Sequence, residues 1–340
     1  MAIFAPDIGI DLGSSNTMVY VRGRGIVISE PTIVVTEANN RRNVRAVGDE
    51  AQYLLGRTTA SLSVSLPIRE GKIADFDMTE VLLRYFIRKA IGVSHVIRPK
   101  VVVSVSCVLD AVGRKAVEEA ALTAGAKQVF LVEKPYAAAI GSGLPVYEAV
   151  GSMVVDIGGG TTDAAIVSLG GLVVAQSIKV GGVKMDEAVA SYIKRNSNML
   201  IGMRTAEDVK LDLGSATLEN ESRRVRIRGK DTIFATAKDI EFTAAQCNEA
   251  LHEPCMAILE AIKWVLERTP PELAVDIMRG GIHLTGGASQ LPGLEQFIAT
   301  ELGIPVLIAK EPEDCTVMGL GYLVENMQLL TSMGKQGFND

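Results

Sequence analysis

Two stretches, IGIDLGSSNTMVYV (8–21) and MVVDIGGGTTDAAI (153–166), decide how this chain folds. Set against each other without a gap, they superpose Asp11 on Asp156, Gly13 on Gly158 and Thr17 on Thr162. The match continues through a second turn, where RGRGIVIS (22–29) falls on VSLGGLVV (167–174). Each copy reads as a β-hairpin, with apolar runs on either side of a glycine- or serine-rich turn. Such a turn leaves backbone N–H groups free to hold phosphate oxygens. Either copy alone is ordinary hairpin punctuation. The pair in register points to one unit used twice, with two turns able to grip a polyphosphate from both sides.

An aspartate beside each phosphate turn repels phosphate unless a divalent cation stands between them. Asp11 and Asp156 are therefore expected to hold Mg²⁺ through its waters, because magnesium keeps most of its hydration shell. Between the hairpins lies FLVEKPYAAAIGSGL (130–144), a strand entering a helix at Pro135. Its small residues Ala137, Ala138 and Ala139 allow close packing, and its start is expected to point towards the same phosphates.

The 340 residues suggest two domains at about 150 residues each, and 48% hydrophobic content supplies two cores. With 34 Lys+Arg against 40 Asp+Glu the net charge is -6, so no overall basic field gathers nucleic acid or anionic lipid. Cys107, Cys247, Cys255 and Cys315 form no CxxC pair and read as reduced packing residues. Mean hydropathy is +0.25, yet no run reaches the ~18 apolar residues of a membrane span, and Gly151 to Ile178 is interrupted by Asp156 and Asp163. No basic residue precedes Arg22, so the start lacks a signal peptide's charged region and the chain is expected to be cytoplasmic.

Strands and helices alternate along the chain, which favours α/β layers. DIGIDL, TMVYVR, GIVIS and TIVVT read as the early strands. Asp77 with Glu80 has the spacing of a capping box before VLLRYFIRKAI, Asp110 precedes a helix, and Thr243 with Gln246 opens a long one through Arg268. Pro254 should bend or break that last helix. The charged segments Arg41 to Arg45, Glu219 to Arg228 and Lys335 to Asp340 read as loops that form solvated faces or edges.

DLGSSNT (11–17), EKPYAAAIG (133–141), DIGGGTTD (156–163), RTAEDVKLDLGSA (204–216), TPPELAVDI (269–277) and LTGGAS (284–289) together resemble the MreB/Mbl family of bacterial actin homologues, in order over nearly the whole chain. The resemblance implies an actin-like α/β fold of the superfamily that also holds sugar kinases and chaperone ATPases, with two duplicated domains around a nucleotide cleft. One domain is expected at 1–145 plus 316–340, with a small subdomain at about 33–72. The other is expected at 146–315, with a small subdomain at about 181–243. Function follows as ATP- and Mg²⁺-dependent polymerisation into membrane-attached filaments that guide wall synthesis and set rod shape. The implied partners are further copies of the chain, the inner face of the cell membrane and membrane proteins of wall synthesis, and not nucleic acid. Any enzymatic activity would be a slow ATPase.

Carried over position by position, Ser14, Ser15 and Asn16 match the first phosphate loop, and Gly158, Gly159 and Gly160 the second. Glu207 and Lys210, neighbours on one helical face, match the nucleoside-binding pair; the same spacing also suits a solvated ion pair. Gly286, Gly287, Ala288 and Ser289 match the adenosine loop, Ala288 replacing a usual glycine. Asp163 stands where glutamate is common, and Val183 where aspartate is. Glu133, Asp156 and Thr162 are the catalytic candidates. Lys134 is the largest departure: the family usually has a water-positioning glutamate directly before this proline. An ammonium binds phosphate but cannot orient water as a carboxylate does. Alternatively Lys134 turns to solvent and a water network serves.

A small-molecule kinase of the same superfamily is the alternative function, and would need a base such as Asp163 and a substrate pocket. A chaperone ATPase would be followed by a client-binding domain, for which the chain leaves no room. For the membrane, Phe4 at the chain start and Val96 and Ile97 in VSHVIRPK are the apolar wedge, flanked by Arg98 and Lys100. Alternatively Ile3 and Phe4 complete the core of the first strand, and Val96 and Ile97 begin the next strand.

Overall fold

The computed structural model of the protein describes residues 5–55, 60–92, 98–218 and 222–330. Phe4, Val96 and Ile97 lie outside the described residues. The chain divides into two compact units: Met1–Glu148, Leu169–Gly171 and Glu313–Asp340 in one, Ala149–Ser168 and Leu172–Pro312 in the other.

In the first unit, β1 (Ile8–Leu12), β2 (Asn16–Val21) and β3 (Gly25–Pro31) form an antiparallel meander. A small sheet follows, with β4 (Val34–Glu37) flanked by β5 (Asn40–Val47) and, after helix α1 (Asp49–Leu54), by β6 (Leu62–Ser65). The short pair β7 (Ile68–Arg69) and β8 (Lys72–Ile73) leads into α2 (Phe76–Ile91). Then β9 (Lys100–Val105), α3 (Ala111–Ala124) and β10 (Gln128–Glu133) add two parallel strands beside β1, giving the order β3-β2-β1-β9-β10. β9 reads VVVSV after its lysine because it is covered on both faces, as a parallel central strand must be. Helix α4 (Lys134–Gly141) begins directly at the end of β10.

The second unit repeats this plan. β11 (Ser152–Ile157), β12 (Thr162–Ser168) and β13 (Gly171–Ile178) form the meander. Helices α5 (Gly182–Ser197) and α6 (Met203–Leu213) and the sheet of β14 (Met199–Leu200), β15 (Arg224–Asp231) and β16 (Ala237–Thr243) come next. Then α7 (Ala244–Glu267), α8 (Pro271–Gly280), β17 (Ile282–Thr285), α9 (Leu294–Leu302) and β18 (Val306–Ile308) complete the order β13-β12-β11-β17-β18. The hairpin registers repeat residue for residue: Asp11 faces Met18 and Leu12 faces Thr17, as Asp156 faces Asp163 and Ile157 faces Thr162. The gapless sequence repeat is therefore a repeat of register as well as of fold.

Each unit has its own core. Ile8, Ile10, Leu82, Leu83, Phe86 and Val103 are among the buried side chains of the first, and Met153, Ile166, Met185, Ile193, Leu251 and Ile258 of the second. The chain returns to the first unit through α10 (Cys315–Glu325), which crosses α4 at very short range. A Cβ on Gly319 would stand 1.8 Å from the Ala137 carbonyl oxygen, and one on Gly141 1.8 Å from that of Cys315. The small residues of α4 thus serve a helix crossing that admits no side chain at either point.

Three local expectations need correction. The cap of α2 is Asp75, whose carboxylate accepts from the Met78 N–H, and Asp77 lies inside the first turn. Pro254 does not break α7: it is buried inside a continuous helix whose neighbours Leu251, Cys255 and Ile258 are fixed in the core, so packing outweighs one missing N–H. The charged segments around Arg41 and Arg224 are strands and not loops, though solvated as expected: β5 is an exposed edge strand, and on β15 the exposed Arg226 and Arg228 pair with Asp239 across the β15–β16 hairpin. Asp110 and the Thr243–Gln246 box cap α3 and α7 as expected.

Candidate functional site

In the first unit the turn between β1 and β2 is closed tightly: a Cβ on Gly13 would stand 2.3 Å from the Asn16 carbonyl oxygen. The Ser14 hydroxyl accepts from the Gly71 N–H and the Ser15 carbonyl accepts from the Thr32 N–H, fixing the turn against two other segments. Asp11 sits just before this turn. Its Oδ1 accepts from the Ser104 hydroxyl and, at 2.5 Å, from the ammonium of Lys134. Ser104 reaches it because β9 runs parallel to β1, one step beyond the paired Ile10 and Val103.

The second unit builds the same arrangement. The Gly158 N–H closes its turn on the Thr161 carbonyl, and Asp156 precedes it. Asp156 Oδ1 accepts from the Thr285 hydroxyl at 2.9 Å, Thr285 being its partner on the parallel strand β17. Both aspartates are thus oriented by a hydroxyl in the same place of a duplicated sheet. Sequence reasoning named the aspartates and missed Ser104 and Thr285. Ser104 stands as the one polar residue in the run VVVSV, whereas Thr285 ends a strand that also carries His283, so its signal was weaker.

The glycine turn is backed by the start of α5, whose Gly182 and Val183 N–H groups donate to the Gly158 and Gly159 carbonyls. A Cβ on Gly182 would meet Lys210 Nζ at 3.6 Å, the Ala288 Cβ at 3.7 Å and the Gly159 Cα at 3.8 Å. Three segments matched to nucleotide contacts therefore converge within this unit. Lys210 pairs with Asp186 at 2.7 Å, and burial pushes the Asp186 carboxyl up to about 6 against the pull of that ammonium. Glu207, exposed one turn before Lys210, adds its charge to that rise.

Gly286 holds φ 82°, and a Cβ there would stand 2.4 Å from the Ile157 carbonyl oxygen, so only glycine fits. Gly287, Ala288 and Ser289 continue as a 3₁₀ turn closed by the Ser289 hydroxyl on the Gly286 carbonyl. Ala288 is absent from the left-handed region among the described residues, so alanine there costs no strain.

The remaining candidates are engaged. The Thr162 hydroxyl donates to the Val180 carbonyl, and Asp163, fully buried, accepts from Thr161 and Ser177. Glu133 forms an ion pair with Arg114 at 2.9 Å. Lys134, next to it, is only 8% exposed and does not turn to solvent.

A family model described as MreB/Mbl protein matches residues 5–332. The chain belongs to the MreB/Mbl family. The cell shape-determining protein Mbl of Bacillus subtilis (strain 168) is 42% identical over 328 residues, covering 96% of this chain and 98% of the relative. Among solved structures, MreB5 of Spiroplasma citri bound to ADP has a TM-score of 0.90 at 30% identity, covering 98% of this chain and 99% of that one. The same protein bound to AMPPNP also gives 0.90 at 30% identity, over 97% and 99%. The fold of this MreB/Mbl chain is accordingly actin-like. Among the described residues no helix is long and apolar enough to cross a membrane.

Two tight glycine turns, at Gly13 and Gly158, are the features that suit an adenine nucleotide. A magnesium ion bridged to Asp11 fits less well. The carboxylate charge that such a cation would balance is already balanced by Lys134.

Proposed function

We propose that this protein binds an adenine nucleotide, with Ser14, Ser15 and Asn16 and Gly158, Gly159 and Gly160 as its phosphate-binding turns. Glu207, Lys210 and the Gly286–Ser289 segment take the nucleoside. The observation that carries this reading is the turn–aspartate–hydroxyl arrangement built twice in one register. Nucleotide binding is coupled to self-association into filaments, which lie on the inner face of the cell membrane and guide wall synthesis and rod shape. Support for that part comes from membership of a family in which the relative from Bacillus subtilis is named cell shape-determining. Membrane contact through Phe4, Val96 and Ile97 is part of the same proposal, tested by liposome co-sedimentation of a folded triple serine variant.

Hydrolysis is expected to be slow, since Lys134 is tied to Asp11 and Glu133 to Arg114, and neither presents an unengaged carboxylate to water. A kinase base at Asp163 is not supported, because that carboxylate is buried under two hydroxyl donors. The deciding experiment compares light scattering and electron microscopy of the chain with ATP against phosphotransfer to a panel of small-molecule acceptors. Nucleotide-dependent filaments without phosphotransfer are expected. Phosphotransfer without filaments overturns the proposal.

A further inference from the structure

Asp186 is a carboxylate placed where burial works against it. It stands in the second turn of α5, a helix that gives Met185, Val189 and Ile193 to the core of the second unit. Lys210 on α6 meets its Oδ1 at 2.7 Å, with the side chain of Lys210 12% exposed and that of Asp186 9%. The contact lies off the line of a good hydrogen bond, so this buried oxygen has no well-aligned donor among the described residues. The other charges nearby do not favour the carboxylate. Glu207 on α6 and Glu187 on α5 oppose its ionisation, and Cys247 on α7 stays a neutral thiol, since burial pushes it up to about 12. A buried ion pair seldom repays its own desolvation, so stability does not explain why these two residues are here. What the pair does is fix an ammonium. A lysine stem is flexible, and this one is held by Asp186 and by the Gly182 carbonyl, 3.4 Å from Nζ. The place where it is held is defined as well: a Cβ on Gly182 would meet Lys210 Nζ at 3.6 Å, the Ala288 Cβ at 3.7 Å and the Gly159 Cα at 3.8 Å.

We propose that Asp186 is a positioning residue of the nucleoside pocket, holding the Lys210 ammonium where α5, the glycine turn and the 286–289 segment meet so that it engages the nucleoside of a bound adenine nucleotide. This rests on the nucleotide reading above. Asp186 does not touch the ligand and acts through Lys210, whose three N–H donors allow it to be held and to bind at once. Because burial pushes the carboxyl up to about 6, it is ionised at pH 7.5 and neutral at pH 5, and its hold on Lys210 is lost across that interval.

The test is calorimetric titration of ADP into the full chain at pH 7.5 and pH 5, the parent against Asp186→Asn. At pH 7.5 the variant should bind about tenfold more weakly, the loss of one charge-assisted hydrogen bond. Between pH 7.5 and pH 5 the parent should lose about tenfold more affinity than the variant, the titration of ADP's own phosphates being common to both. Ionised Asp186 costs the fold stability, so Asp186→Asn should unfold no earlier than the parent at pH 7.5, and its weaker binding does not come from unfolding. On a Lys210→Met background, adding Asp186→Asn should change ADP affinity by less than about twofold, because the residue it acts through is gone. Equal affinities of parent and Asp186→Asn at pH 7.5, parallel pH profiles, or a larger further loss on the Lys210→Met background overturns the role given to Asp186 and leaves the nucleotide reading standing. No ADP binding by the parent at pH 7.5 refutes the nucleotide reading, and this inference with it.

Discussion

Thr285→Val tests the hydroxyl–aspartate pair of the second unit. Thr285 is fully buried and Asp156 5% exposed, so the lost donor at 2.9 Å cannot be replaced by bulk water. Valine keeps the shape and removes only the O–H. Hydrogen bonds to a charged group are worth about 1.5–3 kcal/mol, and the expected loss is about 2 kcal/mol of stability in that unit. The sole tryptophan, Trp264, lies on α7 of the same unit, so its fluorescence follows that unit's unfolding. With a urea slope of about 2 kcal/mol/M, the midpoint should fall by roughly 1 M. Ser104→Ala is the matched control in the first unit, read by circular dichroism. Asp11 there is more exposed, its side chain 14% against 5% for Asp156, so the loss should be about 1 kcal/mol or less. A midpoint shift below about 0.3 M for Thr285→Val, or a larger loss for Ser104→Ala, refutes the claim that these hydroxyls hold the aspartates.

Gly319→Ala should separate α10 from α4, because its Cβ would stand 1.8 Å from the Ala137 carbonyl oxygen; a loss of about 3 kcal/mol or more in thermal unfolding is expected. Gly286→Ala should lower ADP affinity at least about tenfold in calorimetry, from positive-φ strain and the clash with Ile157, whereas Ala288→Gly should leave it within about threefold. For Asp186, a folded pKa raised to about 6 means that ionisation is disfavoured in the folded state. Its cost is absent below the unfolded value near 4, grows as pH rises towards 6 and is constant above. The parent should therefore lose about 1–2 kcal/mol relative to Asp186→Asn between pH 4 and pH 7, after discounting for partial exposure; equal pH profiles would contradict it.

The repeat was legible because a hairpin with its turn is local, and gapless matching of Asp11, Gly13 and Thr17 with Asp156, Gly158 and Thr162 carries register with it. The caps at Asp110 and Thr243 are local too, and read correctly. What failed was settled by tertiary packing. Pro254 is held by the core around it, and the glycines at 141 and 319 were unremarkable until α4 and α10 were seen to cross. Ser104 and Thr285 find their aspartates only through parallel pairing between segments far apart in the chain. Lys134 was visible as a departure from the family pattern, but its partner was not, since residues 11 and 134 meet only in the folded sheet.

Hydrogen–deuterium exchange with and without ADP tests most directly whether both halves hold one nucleotide. Protection is predicted together at 11–17, 156–163 and 284–289, with the apolar strands behind them unchanged. Protection confined to the loops of one unit, or absent from all three segments while ADP is shown to be bound, would contradict the account.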